Sequence, residues 1–567
     1  MDNRSIATAL LETARALEYL DDNPFKVQAY RKAAEAIMRL DEPVCEILAR
    51  GDLPLIPGIG KTIAARIEAW IRDHDFSDLE EIRSKLPEGF DELLKIPGLG
   101  FKRIRTLQRE RSITTIEELA DAVKQGRLAG LRAFPKKFTA GLPGAIETVK
   151  SYRGKYLIDI STAFAREIRS MLISEGFRAE LTGECRRTRE VLEQIDLLVE
   201  GNSGDVGRIV EALGNPEIQA GGDTLTIPSS PVRPPVCIKV VSQEAFAVRL
   251  LFTSGSDAHV GELKNLAASM NIELGEQGIV KAGRPVIVEN EEDIYRLLGV
   301  EYLPPEVREG RDIELARGLA HAVPHLVRHD DMKGTIHNHT TFSDGKSSLE
   351  EMVLAARDKG YLWIGISDHS RSAYYAGGLD REDVARQHRE IDELGSAVSG
   401  ITILKGIESD ILADGSLDYP RDVLDGFDFV IASIHTQMDM DRKSMTKRII
   451  KALRNPYTSI LAHPTGRLLL AREPYAVDME AVLEEALKCR VAVELNANPL
   501  RLDIDWRLID SFVSRGGTVA VCPDAHTAEG LDDIEYGIMM ARKGFLTPQA
   551  CLNTWDVGDA RRFLRKR

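Results

Sequence analysis

From residue 334 onward the hydrophobic and polar positions switch between two periods. Apolar runs of strand length recur near Thr335–Thr340, Trp363–His369, Thr402–Ser409, Phe427–His435, Thr458–His463, Ala492–Ala497 and Thr518–His526. Between most of them lie stretches with apolar residues three or four apart, such as Leu349–Lys359, Arg381–Leu394, Lys443–Leu453, Met479–Lys488 and Trp506–Arg515. Strands that alternate with helices pair in parallel through crossovers. Seven of them predict an α/β barrel, (β/α)7, close to the eight-stranded type.

The start of the chain has a helical period throughout. Asp2–Leu40 carries apolar positions at Ile6, Leu10, Leu17 and Leu20, then a break at Asn23-Pro24, then a second helix through Tyr30 and Ile37. Two similar units follow, Leu55-Ile-Pro-Gly-Ile-Gly-Lys-Thr-Ile-Ala-Ala-Arg-Ile67 and Leu94-Lys-Ile-Pro-Gly-Leu-Gly-Phe-Lys-Arg-Ile-Arg-Thr-Leu107. Each reads as a helix end, a tight turn and a new helix. Gly58 and Gly60, like Gly98 and Gly100, permit a turn whose N–H groups face outward at a helix N-terminus, an anion site sized for one phosphate. Two copies suit a nucleic-acid backbone followed without base reading. Lys61, Lys102 and Arg103 flank the turns, and Lys95–Arg111 holds six basic residues against Glu110 alone. A third unit, Leu128–Ile146, lacks the Gly-x-Gly turn and reads as packing, with Lys136 and Lys137 exposed. Residues 303–331 form a connector. Within it Leu315–Val327 is predicted helical, which would line up His321, His325 and His329 as an exposed stripe.

Composition narrows the class. The 567 residues are 43% hydrophobic and 29% charged, ordinary for a water-soluble chain too long for one core. No apolar run reaches the roughly 18–20 residues of a membrane span. Met1–Leu11 lacks the order of a secretion signal. The six scattered cysteines read as reduced thiols. A cytoplasmic protein without membrane contact is expected. A net charge of −15 argues against indiscriminate nucleic-acid binding but leaves room for local basic patches.

Candidate chemistry gathers at the strand ends of the barrel. His337 and His339 are one residue apart, so on a strand both imidazoles face one side. Asp344 follows in a glycine-ended loop. His369, Glu408, His435, His463, Asp524 and His526 close the later strands, where barrels carry their chemistry. Arg371, Lys405, Arg467 and Arg501 lie next to these strands and are candidates to hold a phosphate. Mixed imidazole and carboxylate ligands suit Zn²⁺, Mn²⁺ or Fe²⁺ better than Mg²⁺.

These motifs resemble the PHP domain, named after polymerases and histidinol phosphatase. Thr335-Ile-His-Asn-His339, Ser343-Asp-Gly-Lys346, Ser367-Asp-His369, Gly406-Ile-Glu408, Ser433-Ile-His435, Leu461-Ala-His-Pro464 and Pro523-Asp-Ala-His526 carry the resemblance. It implies three divalent ions. One would be held by His337, His339, Glu408 and Asp524, a second by Glu408, His435 and His463, and a third by Asp344, His369 and His526. Glu408, Asp524 and His339 would be central to phosphoester hydrolysis.

The hairpins, with Asn23-Pro-Phe-Lys-Val-Gln-Ala-Tyr30 before them, resemble the N-terminal domain of bacterial family X DNA polymerases (PolX). The lysine that forms a Schiff base with an abasic sugar in several members corresponds to Arg66, which is not an amine nucleophile. Leu181-Thr-Gly-Glu-Cys-Arg-Arg-Thr-Arg-Glu-Val-Leu-Glu-Gln-Ile-Asp196 resembles the family's nucleotidyltransferase signature. Gly183, Arg186 and Arg187 would meet a nucleotide, as would Gly255 and Ser256 in Leu251-Phe-Thr-Ser-Gly-Ser256. Three departures stand out: Gln194 replaces the first carboxylate of the pair, Glu184 the turn serine, and Cys237 the third carboxylate. Asp196 alone remains. Two-metal phosphoryl transfer holds its cations about 4 Å apart between carboxylates, so Mg²⁺ at this palm is not expected.

The chain therefore reads as multidomain: a helical lyase-like DNA-binding domain over 1–80, helix–hairpin–helix fingers over 81–150, a degenerate α+β palm and thumb over 151–310, a linker over 311–333 and a PHP barrel over 334–567. The expected function is DNA processing by a 3′→5′ exonuclease, with a weak or inactive polymerase palm. The partners would be gapped, nicked or primer–template DNA ends, and the chain would be a monomer. The alternatives are an active repair polymerase with an attached nuclease, a phosphatase of small esters, and a DNA-binding scaffold with structural metals.

Overall fold

Pro24 has the φ that a first helical turn needs and no N–H to lose there, and it opens the second helix of the chain, Pro24–Met38, after a first over Asn3–Tyr19. In this computed structural model, which describes residues 3–38, 40, 42–73, 77–202, 204–213, 218–229 and 233–565, the chain divides into two units, 1–153 and 154–567. The first unit is helical and has two apolar cores. One joins Ile6, Leu10 and Leu17 to Tyr30, Ile37, Ile63, Ile67 and Trp70. The other joins Phe90, Leu93, Ile104, Leu107, Ile116, Leu142 and Ile146. Leu20, expected on the apolar face, lies past the first helix end and is exposed.

The second unit starts with a five-stranded sheet in the order Ala179–Thr182, Ile195–Glu200, Val236–Val241, Thr224–Ile227, Gln219–Gly221. Its central pair, Ile195–Glu200 with Val236–Val241, is parallel and the rest are antiparallel. A three-stranded antiparallel meander over Ile272–Gly275, Gly278–Lys281 and Arg284–Val286 follows. The connector departs from expectation. Its helix is Asp312–Leu319, and His321 takes φ +50° in a turn beyond it. Pro324 disfavours helix at the residue before it, so His321, His325 and His329 share no helix face.

All seven expected barrel strands form: β1 Gly334–Asn338, β2 Trp363–Ile366, β3 Thr402–Asp410, β4 Phe429–Ser433, β5 Thr458–Leu461, β6 Ala492–Asn496 and β7 Val519–Cys522. They pair in sequence order and all in parallel. The expected helices stand between them, from Leu349–Asp358 to Trp506–Val513. Their interior is packed rather than hollow. Phe429 fills it because Gly406 and Gly365 leave room: a Cβ at Gly406 would lie 2.0 Å from the Phe429 ring.

Closure between β1 and β7 is made by other means than a ladder. At the upper end Asn338 bridges Ala525, and the His339 N–H donates to the Ala525 carbonyl at 2.8 Å. Lower down, the buried Asn553 amide donates to the carbonyls of Gly334 (3.1 Å) and Val521 (2.8 Å) and accepts from the Val521 N–H (2.8 Å). One side chain thus stands in for the missing rungs. An unsatisfied buried polar group costs about 1–3 kcal/mol, and Asn553→Leu strands three. The variant is expected to lose about 3 kcal/mol or more. Urea unfolding measures this, and a change under about 1 kcal/mol would show that the seam closes without Asn553.

Candidate metal centre

Parallel strands deliver their C-terminal ends to one rim, so ligands far apart in sequence converge. His337 and Asn338 end β1, with His339 just beyond. Asp344 lies in the loop after β1, Glu408 and Asp410 occupy the same side of β3, and the remaining ligands follow β2, β4, β5 and β7. All nine expected ligands meet here. Glu408 is at the middle: its carboxylate oxygens lie 3.0 Å from His463 Nε2, 3.3 Å from His435 Nε2, 3.5 Å from His337 Nε2 and 2.8 Å from His369 Nδ1. Asp524 Oδ1 lies 3.2 Å from His339 Nε2 and 3.5 Å from His337 Nε2. Asp344 Oδ1 is 3.4 Å from His526 Nε2 and 3.6 Å from His369 Nε2.

The groupings overlap more than expected. Donor atoms cluster as His339, Asp344, His369 and His526; as His337, His339 and Glu408; as His369, Glu408 and His435; and as His337, His463 and Asp524. His337, His339 and His369 each serve more than one cluster, where one was expected.

The residues fit cations. His337 Nε2, both nitrogens of His339, His369 Nδ1, Glu408 Oε2 and His463 Nδ1 are buried without a hydrogen-bond partner. A cation that takes up the single lone pair of a neutral imidazole, or one of Glu408, removes a desolvation cost of about 1–3 kcal/mol for that atom. Burial works against the Glu408 carboxylate, yet His369, His435 and His337 hold it well below the usual range. Burial likewise opposes Asp524, and His337 and His339 hold it low. Burial pushes His339 down to about 3, whereas against the same burial the neighbouring carboxylates raise His337, lift His435 to about 10 and lift His526 to about 9, positions at which a cation would replace a proton. Three ligands also take left-handed backbone: His337 at φ +68°, His463 at +25° and Asp524 at +54°. Each such residue costs about 1–3 kcal/mol and persists only where its surroundings impose it.

Sequence reasoning missed the supports beneath the ligands. Glu494 on β6 is fully buried, accepts the His337 Nδ1 proton at 2.5 Å and accepts the His463 backbone N–H at 2.5 Å. Asp410 accepts from His435 Nδ1 at 2.6 Å. Each leaves the ring's Nε2 aimed at Glu408. Asp368 gathers the loop that carries Asp344, accepting from Thr340, Ser343 and Gln387. Asn496 Nδ2 donates to Asp524 at 3.1 Å. The signal was available: Val491-Ala-Val-Glu-Leu495 places a carboxylate inside an apolar strand, and Asp410 repeats the side of Glu408.

Of the four candidate phosphate cations, Arg501 reaches the centre, its Nε 3.6 Å from Asp524 Oδ2. Lys405 pairs with Asp392 at 2.6 Å. Arg467 bonds the carbonyl of Arg501 and Asp505. Arg371 is exposed.

The palm residues are arranged otherwise. Asp196 faces Cys237 across the parallel pair, and Gln194 Nε2 donates to its Oδ1 at 2.7 Å. Burial raises the Asp196 pKa. Among the described residues, no group of three ligand-type side chains forms around it. A cavity of about 280 Å³ lies there, lined by Asp196, Gln194, Lys239, Arg249 and Glu276. Gly183, at φ +59°, lets the backbone approach Asp196. Arg186 and Arg187, expected to grip nucleotide or DNA, are engaged inside the fold. Arg186 bonds Ser254 Oγ and Glu291, and the buried Arg187 bonds the Ser254 carbonyl and Glu309. Gly255 and Ser256 form a helix–helix corner, with Ser256 Oγ capping Asp257–Ser269. Their expected nucleotide loop is thereby used as a cap.

In the hairpins Gly58 and Gly98 adopt φ +98° and +78°, and Gly60 and Gly100 precede helices Lys61–Glu68 and Phe101–Arg111 with no side-chain cap. Lys61 and Lys102 are exposed. Arg103 instead braces its own turn, bonding the Gly98 and Ala133 carbonyls and lying over Phe138. Arg66 is held by Tyr30 and Asp78.

The fold and its centre define a class: a PHP-domain protein whose barrel is joined to polymerase-like domains. Known families match in that order, a helix-hairpin-helix domain over residues 1–76, a DNA polymerase beta thumb over 249–309 and a PHP domain over 335–498. The "DNA polymerase/3'-5' exonuclease PolX" of Bacillus subtilis (strain 168) is 35% identical over 567 residues, covering 98% of both chains. The chain belongs to the bacterial PolX family. A probable phosphatase of Thermoanaerobacter sp. (strain X514) is 29% identical over 42% of the chain and 96% of its own length. The probable phosphatase YcdX of Escherichia coli O127:H6 is 28% identical over 38% of the chain and 88% of its own. No helix among the described residues is long and apolar enough to cross a membrane.

Loss of a partner that orients a ligand lowers metal affinity about 10–100-fold. Glu494→Ala is expected to do so while Glu494→Gln, which keeps the shape and a hydrogen-bond acceptor, retains more. Metal titration followed by calorimetry measures it, and unchanged affinity in Glu494→Ala would remove Glu494 from the centre.

Proposed function

We propose that the barrel hydrolyses DNA phosphodiesters from the 3′ end, and that the palm is weak or inactive as a polymerase. One contrast supports this reading. The barrel keeps all nine ligand positions in contact, whereas the palm keeps Asp196 alone beside Gln194 and Cys237. The full-length relative's description as a polymerase and 3′–5′ exonuclease agrees with the nuclease half.

His337, His339, Glu408 and Asp524 would hold one divalent ion, Glu408, His435 and His463 a second, and Asp344, His369 and His526 a third, with His339 and His369 able to reach across. The metals would be Mn²⁺, Zn²⁺ or Fe²⁺. Such ions supply Lewis acidity and a nucleophile at neutral pH. The chain's own residues orient and exclude. Glu494 and Asp410 orient two imidazoles, burial keeps bulk water from His337, His339, Glu408 and His463 while the partly exposed Asp344 and His526 open toward solvent, and Arg501 offers a fixed positive charge to a phosphate. The hairpins at Gly58–Lys61 and Gly98–Lys102 would bind DNA backbone without reading sequence. The boundaries at 80, 150, 310 and 333 mark these roles.

A 5′-labelled primer–template with Mn²⁺ is expected to shorten stepwise from its 3′ end. His339→Ala is expected to lower the rate at least about 100-fold, since even outer partners cost 10–100-fold in metal sites. Degradation that survives His339→Ala removes the barrel from the reaction. With dNTPs present, template-directed extension at polymerase rates, abolished by Asp196→Ala, would overturn the reading of the palm. Hydrolysis confined to p-nitrophenyl phosphate would point to small esters instead.

A further inference from the structure

Large aromatic side chains are normally buried, and an exposed pair at the lip of a site is informative. Among the described residues the exposed aromatics are Phe25, Tyr374 and Tyr375, the last two 85% and 60% exposed. They sit on the short helix Tyr374–Ala376, five and six residues after the ligand His369. The Tyr375 ring centre is 6.5 Å from that of His369 and 6.4 Å from that of His435, and 6.3 Å from Tyr374 at 75°.

The loop that carries them is tied down. Its return strand bridges its start, Ser370 to Leu379, and the Leu379 N–H donates to the His369 carbonyl at 2.9 Å. Gly378 permits that approach, because a Cβ there would lie 1.9 Å from the Ser370 carbonyl oxygen. Ala373 and Ala376 are buried beneath it. Ser372 donates through its N–H to Asp418 at 2.6 Å and through its hydroxyl to Asp410 at 2.8 Å. Asp410 is the carboxylate that orients His435. The fold thus holds two solvent-facing rings rigidly beside the ligands, with Arg501 on the rim.

We propose that Tyr374 and Tyr375 form a stacking platform for the unpaired bases at the DNA end being cut. This rests on the nuclease reading of the same centre. A nucleobase stacks on an aromatic face whatever its identity, worth about 1–3 kcal/mol per base. Bases inside a duplex have no free face, so the platform selects single-stranded ends. Tyr375, nearer the ligands, takes the terminal base, and Tyr374, turned across it, takes the next.

The test uses 5′-labelled oligonucleotides with a single-stranded 3′ tail, normal or with its last two nucleotides abasic. The full-length protein is compared with Tyr374→Ala, Tyr375→Ala, the double variant and Tyr375→Phe. Each alanine is expected to raise KM on the normal tail about 5- to 100-fold, and Tyr375→Phe to stay near wild type. The abasic tail should weaken wild type by a similar factor and leave the double variant little changed. Without divalent metal, a 3′-terminal 2-aminopurine should be quenched on binding by wild type and not by the double variant. If the double variant still discriminates normal from abasic tails as wild type does, the platform is wrong and the nuclease reading stands. If wild type degrades no DNA, both fall.

Discussion

A carboxylate buried in a protein interior must be compensated, and Glu408 is the one on which this barrel depends. It is 1% exposed and has four imidazoles within 3.5 Å. Desolvation of a lone ion would shift its pKa until it neutralised. Here the surrounding rings reverse that tendency, so Glu408 stays ionised. Everything around it follows from keeping those rings in place. The imidazoles come from β1, β2, β4 and β5, so their convergence requires the sheet to curl. The curl in turn brings β1 and β7 within reach of Asn338, Ala525 and Asn553.

The supports form a second layer with the same logic. Glu494 and Asp410 are acids whose partners are the Nδ1 atoms of ligands. They add negative charge to an already acidic interior, which His337 and His435 answer by holding protons against the cost of burial, His435 up to about 10; a bound cation would take the place of those protons. Backbone strain at His337, His463 and Asp524 points the same way. These features destabilise the chain taken alone and are explained by ligand binding, consistent with strain gathering at functional sites.

How much of this was legible in sequence depended on period. The strands showed because buried parallel strands are short apolar runs, and the ligands showed because each follows such a run. His337 and His339 alone were a weak signal; the repetition of polar residues at successive strand ends made them strong. Glu494 and Asp410 stood out as carboxylates in or beside apolar strands, but the ligands they support did not, because a carboxylate's partner is set by register across strands, not by spacing along one. The helix expected over Leu315–Val327 ends at Leu319, because apolar spacing continues past a point where Pro324 does not let the helix continue. Arg186, Arg187 and Arg103 had the composition of binding residues. Their use as internal braces depends on Ser254, Glu291, Glu309 and Ala133, none of them near in sequence.

The two candidate sites of the chain differ in what their side chains do for the fold. The palm sheet is held by its ladders and by Ile195, Leu197, Val199, Val236, Ile238 and Val240 packing into the core. Gln194 and Cys237 sit among these without disturbing them, so replacing carboxylates there leaves the sheet's packing intact. In the barrel the ligand segments are part of the closure. His339 bonds Ala525 through its backbone, His463 bonds Glu494 through its own, and Asp524 is held by Asn496. A ligand lost from this rim would leave buried acids without partners in a seam that has few other rungs. The barrel's rim is thus tied to its neighbours through backbone and side chains together, whereas Gln194, Asp196 and Cys237 lie on a sheet whose apolar packing does not call on them.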